Sequence, residues 1–147
     1  MPRRGHVSRR ELTPDSVYNS KLVTRFINNL MYDGKRSIGS RIFYDAIEKV
    51  AKKRKEDNPL EMFKKVVESA KPIVEVRSKR IGGANYQVPI EVKPDRAIAL
   101  AFRWILKFSR DRKEKSMADR LAAEFDEILN NSGATMKKRD EVHRMAE

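Results

Sequence analysis

The stretch IVEVRSKRIGGANYQVPIEVK, residues 73–93, has the two-residue periodicity of a β-hairpin in a chain that otherwise has helical spacing. Gly82-Gly83 is a turn signal between its halves. The alternating apolar residues are Val74, Val76, Tyr86, Val88, Ile90 and Val92. They lie on one face only if the residue numbers of each pair of opposed residues add up to an even number. A two-residue loop would give odd sums, so we predict a loop of three or five residues.

The hairpin is also a candidate binding element. An isolated hairpin is marginally stable in water, so we expect its base to pack on helices and its tip to remain free for a partner. No acidic residue occurs between positions 76 and 90. The cations of this segment are Arg77, Lys79 and Arg80. The predicted tip contains Gly82, Gly83 and Asn85.

Six further segments have the apolar spacing of amphipathic helices. They are predicted at about 20–31, 37–54, from Pro59 to just before Pro72, 94–109, from a Ser116 cap to just before Gly133, and from about Thr135 onward. Asn58 is the predicted cap of the third helix, and Gly34 the predicted C-terminal cap of the first. We therefore predict a mainly α fold in which residues 1–147 form a single bundle-like domain, with the hairpin between the third and fourth helices.

The charge balance points to a polyanionic partner. The chain has 33 Lys and Arg against 21 Asp and Glu, a net charge of +12 and a pI near 10.1. Nucleic acid is the leading candidate and an anionic membrane surface the second. The chain has no cysteine and no apolar run of the ~18–20 residues that a membrane span needs. We expect a cytoplasmic protein that is not embedded in a membrane.

Residues 1–17 show no periodicity and begin with a basic arm. Its cations are Arg3, Arg4, Arg9 and Arg10, and all precede the first acidic residue, Glu11. Such an arm is typically disordered alone and becomes ordered on a polyanion. The alternative is a solvated tail.

The predicted fourth helix separates apolar from basic residues. An apolar arc around Phe102 faces the core, and no acidic residue occurs from 96 to 110. The cations on the outer side are Arg96, Arg103, Lys107 and Arg110. An RNA-binding face and a solvated face are both compatible with this pattern. Trp104 beside the arc is interpreted as core rather than as a base-stacking residue. Further cations occur as Lys35-Arg36 after the first helix and Lys137-Lys138 in the sixth.

The sequence contains little that indicates catalysis. His6 and His143 have no partner at metal-ligand spacing, and no nucleophile motif or phosphate-binding loop occurs. We therefore expect no cofactor, metal or small-molecule substrate. Because Lys and Arg on phosphates provide position rather than base reading, the target should be a folded RNA recognised by shape. A helical protein that binds duplex DNA and an RNA-modifying enzyme are the alternatives.

Several ordered motifs extend this interpretation. They are MPRR at 1–4, MYDGKR at 31–36, EVRSKRIGGANYQVPIEV at 75–92, ALAFRWI at 99–105, KSMADRLAAE at 115–124 and KKRDEVHRMAE at 137–147. With these motifs the chain resembles, nearly end to end, the bacterial small-subunit ribosomal protein seven family.

The resemblance implies a helical domain with a protruding hairpin and a structural role in the small subunit. It further implies primary binding to the three-prime major domain of 16S rRNA, where the protein would start head assembly near the exit-site tRNA. The residues it assigns to rRNA are Arg3, Arg4, Arg9, Arg10, Lys35, Arg36, Arg77, Lys79, Arg80, Arg96 and Arg103. The hairpin tip and last helix would approach tRNA and a platform protein, and the protein would be a monomer off the ribosome.

Overall fold

The computed structural model describes residues 3–147, which contain six α-helices and one two-stranded antiparallel sheet. The elements are α1 (Lys21–Leu30), α2 (Arg36–Arg54), α3 (Pro59–Ala70), β1 (Val74–Ile81), β2 (Ala84–Glu91), α4 (Pro94–Arg110), α5 (Met117–Leu129) and α6 (Gly133–Met145). The predicted mainly α fold, with a hairpin between the third and fourth helices, is confirmed. The first two residues of the predicted arm lie outside the described part.

Polar side chains begin three of the helices as the sequence indicates. The side chains of Ser20, Asn58 and Ser116 each accept a hydrogen bond from a backbone N–H three residues later, at 3.4, 3.3 and 3.2 Å. Each bond satisfies an N–H that has no partner inside the helix. The predicted caps at Asn58 and Ser116 are therefore confirmed.

The prediction that Gly34 caps α1 is wrong. The helix ends at Leu30, and Met31 already has extended backbone angles. Met31 packs against Gly39 of α2, where an added Cβ would lie 3.0 Å from the Met31 Cβ. The chain thus leaves the helix at Met31, where it lies against α2, and Gly34 forms part of the following turn with a φ of +72°.

Five phenylalanines form the centre of the core. They are Phe26, Phe43, Phe63, Phe102 and Phe125, one from each of the first five helices. Their neighbouring ring centroids lie 5.0–6.5 Å apart, mostly in tilted or edge-to-face arrangements that suit the charge distribution of aromatic rings. Each of these five helices is thus tied to the same aromatic cluster.

Helix α4 buries a second stripe of side chains on α6 and the hairpin base. Val92, Ala97, Leu100 and Trp104 form this smaller cluster, with Val142 of α6 against it. Trp104 is 6% exposed, so its interpretation as a core residue is confirmed. Because two stripes are buried, α4 leaves only a narrow strip of its surface to the exterior.

The predicted hairpin register is wrong. The pairs run from Val74↔Glu91 to Ile81↔Ala84, so partner numbers have odd sums and the loop has two residues. Gly82 and Gly83 have φ angles of +59° and +84°, which fit a type I′ turn. That turn matches the twist of the flanking strands. The outer hairpin is exposed on both faces, so no buried face enforces the predicted register.

The base of the hairpin is held by the helices, as predicted. The backbone N–H of Ile73 donates to Nε2 of His143 in α6 at 2.9 Å. The N–H of Val92 donates to the carbonyl of Ile73 at 3.0 Å. Val92 is buried in the smaller cluster, whereas residues 77–87 are exposed. The tip therefore projects away from the body.

A charged cluster joins the α4–α5 connection to α5 and α6. Arg112 contacts Glu114, Glu124 and Glu127 at 3.0–3.1 Å. Glu124 is fully buried and accepts a hydrogen bond from the Thr135 hydroxyl at 2.5 Å. Hydrogen bonds to Glu127 and Glu114 raise the pKa of Arg112, which keeps it charged beside Glu124. The cluster is therefore structural.

Candidate nucleic-acid interface

Four overlapping grooves run along α4. The first lies at the hairpin base and has about 340 Å³; the others have about 590, 500 and 530 Å³. Lys93 and Arg96 line both the first and the second, Ala99 joins the second to the third, and Arg110 joins the third to the fourth. The grooves therefore form one continuous strip, here named the α4 surface, from the hairpin to the α1–α2 connection.

The α4 surface is strongly cationic. Its cations are Arg9, Arg25, Lys35, Arg77, Lys93, Arg96, Arg103, Lys107, Arg110 and Arg120. Its carboxylates are Glu75, Glu91, Asp95 and Asp111. Cations outnumber carboxylates over the whole strip, so it attracts a polyanion along its length. The structure thus brings together cations from the arm, the first connection, the hairpin and α4.

Arg96 joins the hairpin to α4. Its guanidinium donates two hydrogen bonds to the Glu75 carboxylate, at 2.6 and 3.0 Å. The hydrogen bond from Arg96 lowers the pKa of Glu75, so the carboxylate stays ionised. The two-pronged geometry fixes orientation as well as distance. Arg96 therefore orients the hairpin base, although its side chain remains 54% exposed to a ligand.

The basic arm lies over the second groove through a weak contact. Nη1 of Arg9 is 3.5 Å from Asp95, and both side chains are mostly exposed. Exposed pairs of this kind contribute only about 0–1 kcal/mol, so an RNA phosphate can replace the carboxylate. Arg25 supports Asp95 from α1 by donating to its backbone carbonyl at 3.1 Å. Arg3, Arg4 and Arg10 are exposed farther along the arm.

The C-terminal end of the arm segment is anchored to the body. Asp15 is buried and accepts hydrogen bonds from the N–H groups of Val17, Tyr18 and Ser20 and from the Tyr44 hydroxyl, at 2.8–3.1 Å. Burial opposes ionisation, but these hydrogen bonds outweigh it and lower the pKa of Asp15. The exposed basic residues are therefore tethered close to the second groove.

The middle of α4 presents its cations directly to solvent. Arg103 and Lys107 are exposed, and neither forms an ion pair within residues 3–147. Arg110, seven residues after Arg103, is partly buried. It lies 4.6 Å from the centroid of the Tyr32 ring and donates to the Leu30 carbonyl at 3.3 Å. Arg103 and Lys107 are thus cations of α4 that lie open to solvent without an ion-pair partner in the described residues.

The fourth groove is lined by both apolar and basic side chains. The apolar ones are Leu30, Met31, Ile38, Ile42 and Met117. The basic ones are Lys35, Arg110 and Arg120. Tyr32 also lines it and is 63% exposed, and Arg36 beside Lys35 is exposed as well. This end of the strip can accept an apolar group attached to an anion.

Comparison with known proteins identifies the family. The family described as ribosomal protein S7p/S5e matches residues 2–147. This chain belongs to that family. The small ribosomal subunit protein uS7 of Symbiobacterium thermophilum is 53% identical over 147 residues, which cover all of this chain and 94% of the relative. The uS7 proteins of Nitratidesulfovibrio vulgaris (strain DP4) and Lacticaseibacillus casei (strain BL23) are each 52% identical with the same coverage.

Family membership confirms the resemblance found in the motifs. The chain is a structural constituent of the small ribosomal subunit, located on the cytoplasmic ribosome, and it is not an enzyme. Its surroundings in that subunit are rRNA and neighbouring ribosomal proteins. No helix within residues 3–147 is long and apolar enough to span a bilayer.

Some of the predicted RNA-binding residues are not part of the α4 surface. Lys79 and Arg80 are exposed farther out on the hairpin, and Lys137 and Lys138 line none of the four grooves. Lys138 lies 3.8 Å from Glu141 on the same helix. Lys137 and Lys138 of α6 are therefore not part of the α4 surface.

Three cations of the α4 surface were missed by sequence reasoning. Arg25 lies within the apolar pattern of α1, Lys93 directly precedes Pro94, and Arg120 lies in α5. Lys93 continues the basic hairpin segment, which is a usable signal. Arg25 and Arg120 reach the strip only because α1 and α5 pack beside α4, so no local pattern identifies them.

Proposed function

We propose that this chain is the primary binder of the three-prime major domain of 16S rRNA, and that it nucleates assembly of the subunit head. It then lies at the head–platform interface near the exit-site tRNA. The observation that carries this proposal is the continuity of the α4 surface from the hairpin base to the α1–α2 connection. One continuous RNA element can contact every part of such a strip.

The geometry supports recognition of RNA shape. The cations of the strip are spread over four grooves on several elements, so they meet phosphates that are separated in space. A-form RNA has a deep, narrow major groove that side chains cannot read. A junction or bent helix instead presents its phosphates in a fixed arrangement, and the hairpin base, which Arg96 joins to α4 by two hydrogen bonds, can match it.

The residues of the proposed rRNA contact combine the strip with its neighbours. They are Arg3, Arg4, Arg9, Arg10, Lys35, Arg36, Arg77, Lys79, Arg80, Arg96, Arg103, Lys107, Arg110, Lys137 and Lys138. The tip residues Gly82, Gly83 and Asn85, together with α6, approach exit-site tRNA and neighbouring head and platform proteins. Off the ribosome the chain is a monomer.

RNA footprinting tests this function. Small-subunit rRNA is probed with and without the protein, and we expect protection to concentrate in the three-prime major domain. The double variant Arg103→Ala/Lys107→Ala should weaken binding and lower the salt dependence, by somewhat under one unit of log–log slope per lost phosphate contact. Lys52→Ala/Lys65→Ala removes the same charge from exposed positions of α2 and α3 and should leave the footprint unchanged.

Three outcomes would contradict the proposal. Protection centred on another rRNA domain would refute the assignment to the three-prime major domain. Equal binding of duplex DNA and of a junction-bearing rRNA fragment would refute recognition by RNA shape. Equal effects of the two double variants would show that total charge, rather than the α4 surface, determines binding.

A further inference from the structure

The observed strand register determines which side chains share each face of the outer hairpin. Because Lys79 pairs with Tyr86 and Arg77 with Val88, these four side chains share one face. Directly opposed side chains in an antiparallel pair have Cβ atoms about 4.5–5.5 Å apart. An aromatic ring is therefore placed directly beside one cation and diagonal to another. In the register predicted from apolar spacing, the apolar and basic side chains would have been on opposite faces.

Tyr86 is open to a ligand. It is 54% exposed, and so is Ile81, its diagonal neighbour towards the turn. Tyr18 and Tyr44 pack on each other, and Tyr32 lies against the guanidinium of Arg110. Among the tyrosines of residues 3–147, Tyr86 alone has neither an aromatic ring nor a cation stacked on its ring.

The other face of the hairpin differs in chemistry. There, Gln87 donates to the Ser78 hydroxyl at 3.0 Å, and Pro89 and Asn85 continue the face towards the base and the turn. Its polar side chains are partly satisfied by each other, and it has no aromatic ring. The two faces thus provide an internal comparison within one small element.

We propose that the face bearing Tyr86 is a stacking site for an unpaired nucleotide of small-subunit rRNA. The base lies on the Tyr86 ring, and Lys79 and Arg77 contact the phosphates on either side. Stacking of a base on an aromatic side chain tolerates any base, so this site selects an unpaired nucleotide rather than a sequence.

Continuity with the α4 surface makes rRNA the occupant. Glu75, Arg77 and Ile90 of this face line the first groove, next to Lys93 and Arg96. Val76 and Glu91 of the opposite face line it as well, but Arg77 is its only hairpin cation. RNA bound along α4 can therefore continue through Arg77 onto the Tyr86 face. The inference rests on the proposed function, because it assigns one further nucleotide of the same RNA.

Affinity for a three-prime major-domain transcript of 16S rRNA tests the site. Tyr86→Ala should weaken binding by about 5-fold to 150-fold, the effect of losing one stacked base. Its salt dependence should equal that of the wild type, since no phosphate contact is lost. Tyr86→Phe should bind like the wild type because it keeps the ring. Gln87→Ala, on the opposite face, is the matched control and should also bind like the wild type.

A fully paired RNA duplex of similar length is the second probe. Tyr86→Ala and the wild type should bind it equally, since it offers no unpaired base. Thermal unfolding of every variant confirms that the body remains folded, as the exposure of Tyr86 leads us to expect.

The outcomes separate this inference from the proposed function. If the wild type binds the transcript and Tyr86→Ala binds equally well, stacking is refuted while the proposed function stands. Failure of the wild type to bind the transcript would refute both. A loss in Tyr86→Phe as large as in Tyr86→Ala would indicate a hydroxyl contact instead of stacking.

Discussion

Side-chain orientation is determined differently in the helical body and in the hairpin. In the body, five phenylalanines from five helices are at most 1% exposed. In the hairpin, residues 77–87 are exposed on both faces. Where a face is buried, the apolar spacing decides which side chains point inward. Where neither face is buried, the two-glycine turn decides, and the apolar spacing loses its predictive value.

The largest expected effect in this comparison comes from the body. Phe102→Ala should lower the free energy of unfolding by about 3–5 kcal/mol, because it removes a buried ring and leaves a cavity. Phe102 is 1% exposed and lies 5.1 Å from the Phe26 ring, edge to face. Denaturant unfolding measures the change. Tyr86→Ala in the hairpin is the control and should change stability by less than about 0.5 kcal/mol. Similar losses in both would remove the distinction between the regions.

The next effect concerns the anchor between the body and the arm. Asp15→Ala should cost about 1.5–3 kcal/mol at neutral pH, since hydrogen bonds to a charged acceptor are lost. The folded state lowers the pKa of Asp15 below its ordinary value. Its contribution is therefore complete well above about pH 4 and disappears as the pH falls through the folded-state pKa.

Unfolding measured from pH 7 to acid checks the sign of this effect. The difference between the wild type and Asp15→Ala should shrink below about pH 4. Asp45→Ala, which removes an exposed carboxylate of α2, is the matched control and should show little difference at any pH. A gap that widens in acid would show that Asp15 does not stabilise the fold as a carboxylate.

Substitutions in the hairpin should have the smallest effect on stability. Their effect on RNA binding should nevertheless be clear. Replacing Arg77, Lys79 and Arg80 with Ala should leave the unfolding transition in place, because these side chains are exposed. Binding to the rRNA transcript should weaken, and its salt dependence should fall by somewhat under one unit of slope per lost phosphate contact. An unchanged slope would show that these residues do not meet phosphate.

The site was predicted only in part, and the reason is visible in individual residues. Arg103 and Lys107 could be placed on the outer side of α4 because that helix has a periodic apolar face, whereas their contact with rRNA stays a prediction. Arg96 was assigned to rRNA from the resemblance, yet it forms a two-pronged contact with Glu75, twenty-one residues earlier in the chain. Arg25 and Arg120 could not be found because their place on the strip depends on which helices are neighbours.

The sequence by itself determined the six helices, their caps at Asn58 and Ser116, the hairpin position, the excess of positive charge and the family. These features depend on residues close together along the chain, or on ordered motifs. Only the tertiary structure decided the early end of α1 at Met31, the hairpin register and the joining of dispersed cations into the α4 surface. The end of α1 and the assembly of the α4 surface depend on packing between distant segments. The register depends on the exposure of both hairpin faces, because the Gly82-Gly83 turn determines the strand pairing where neither face is buried.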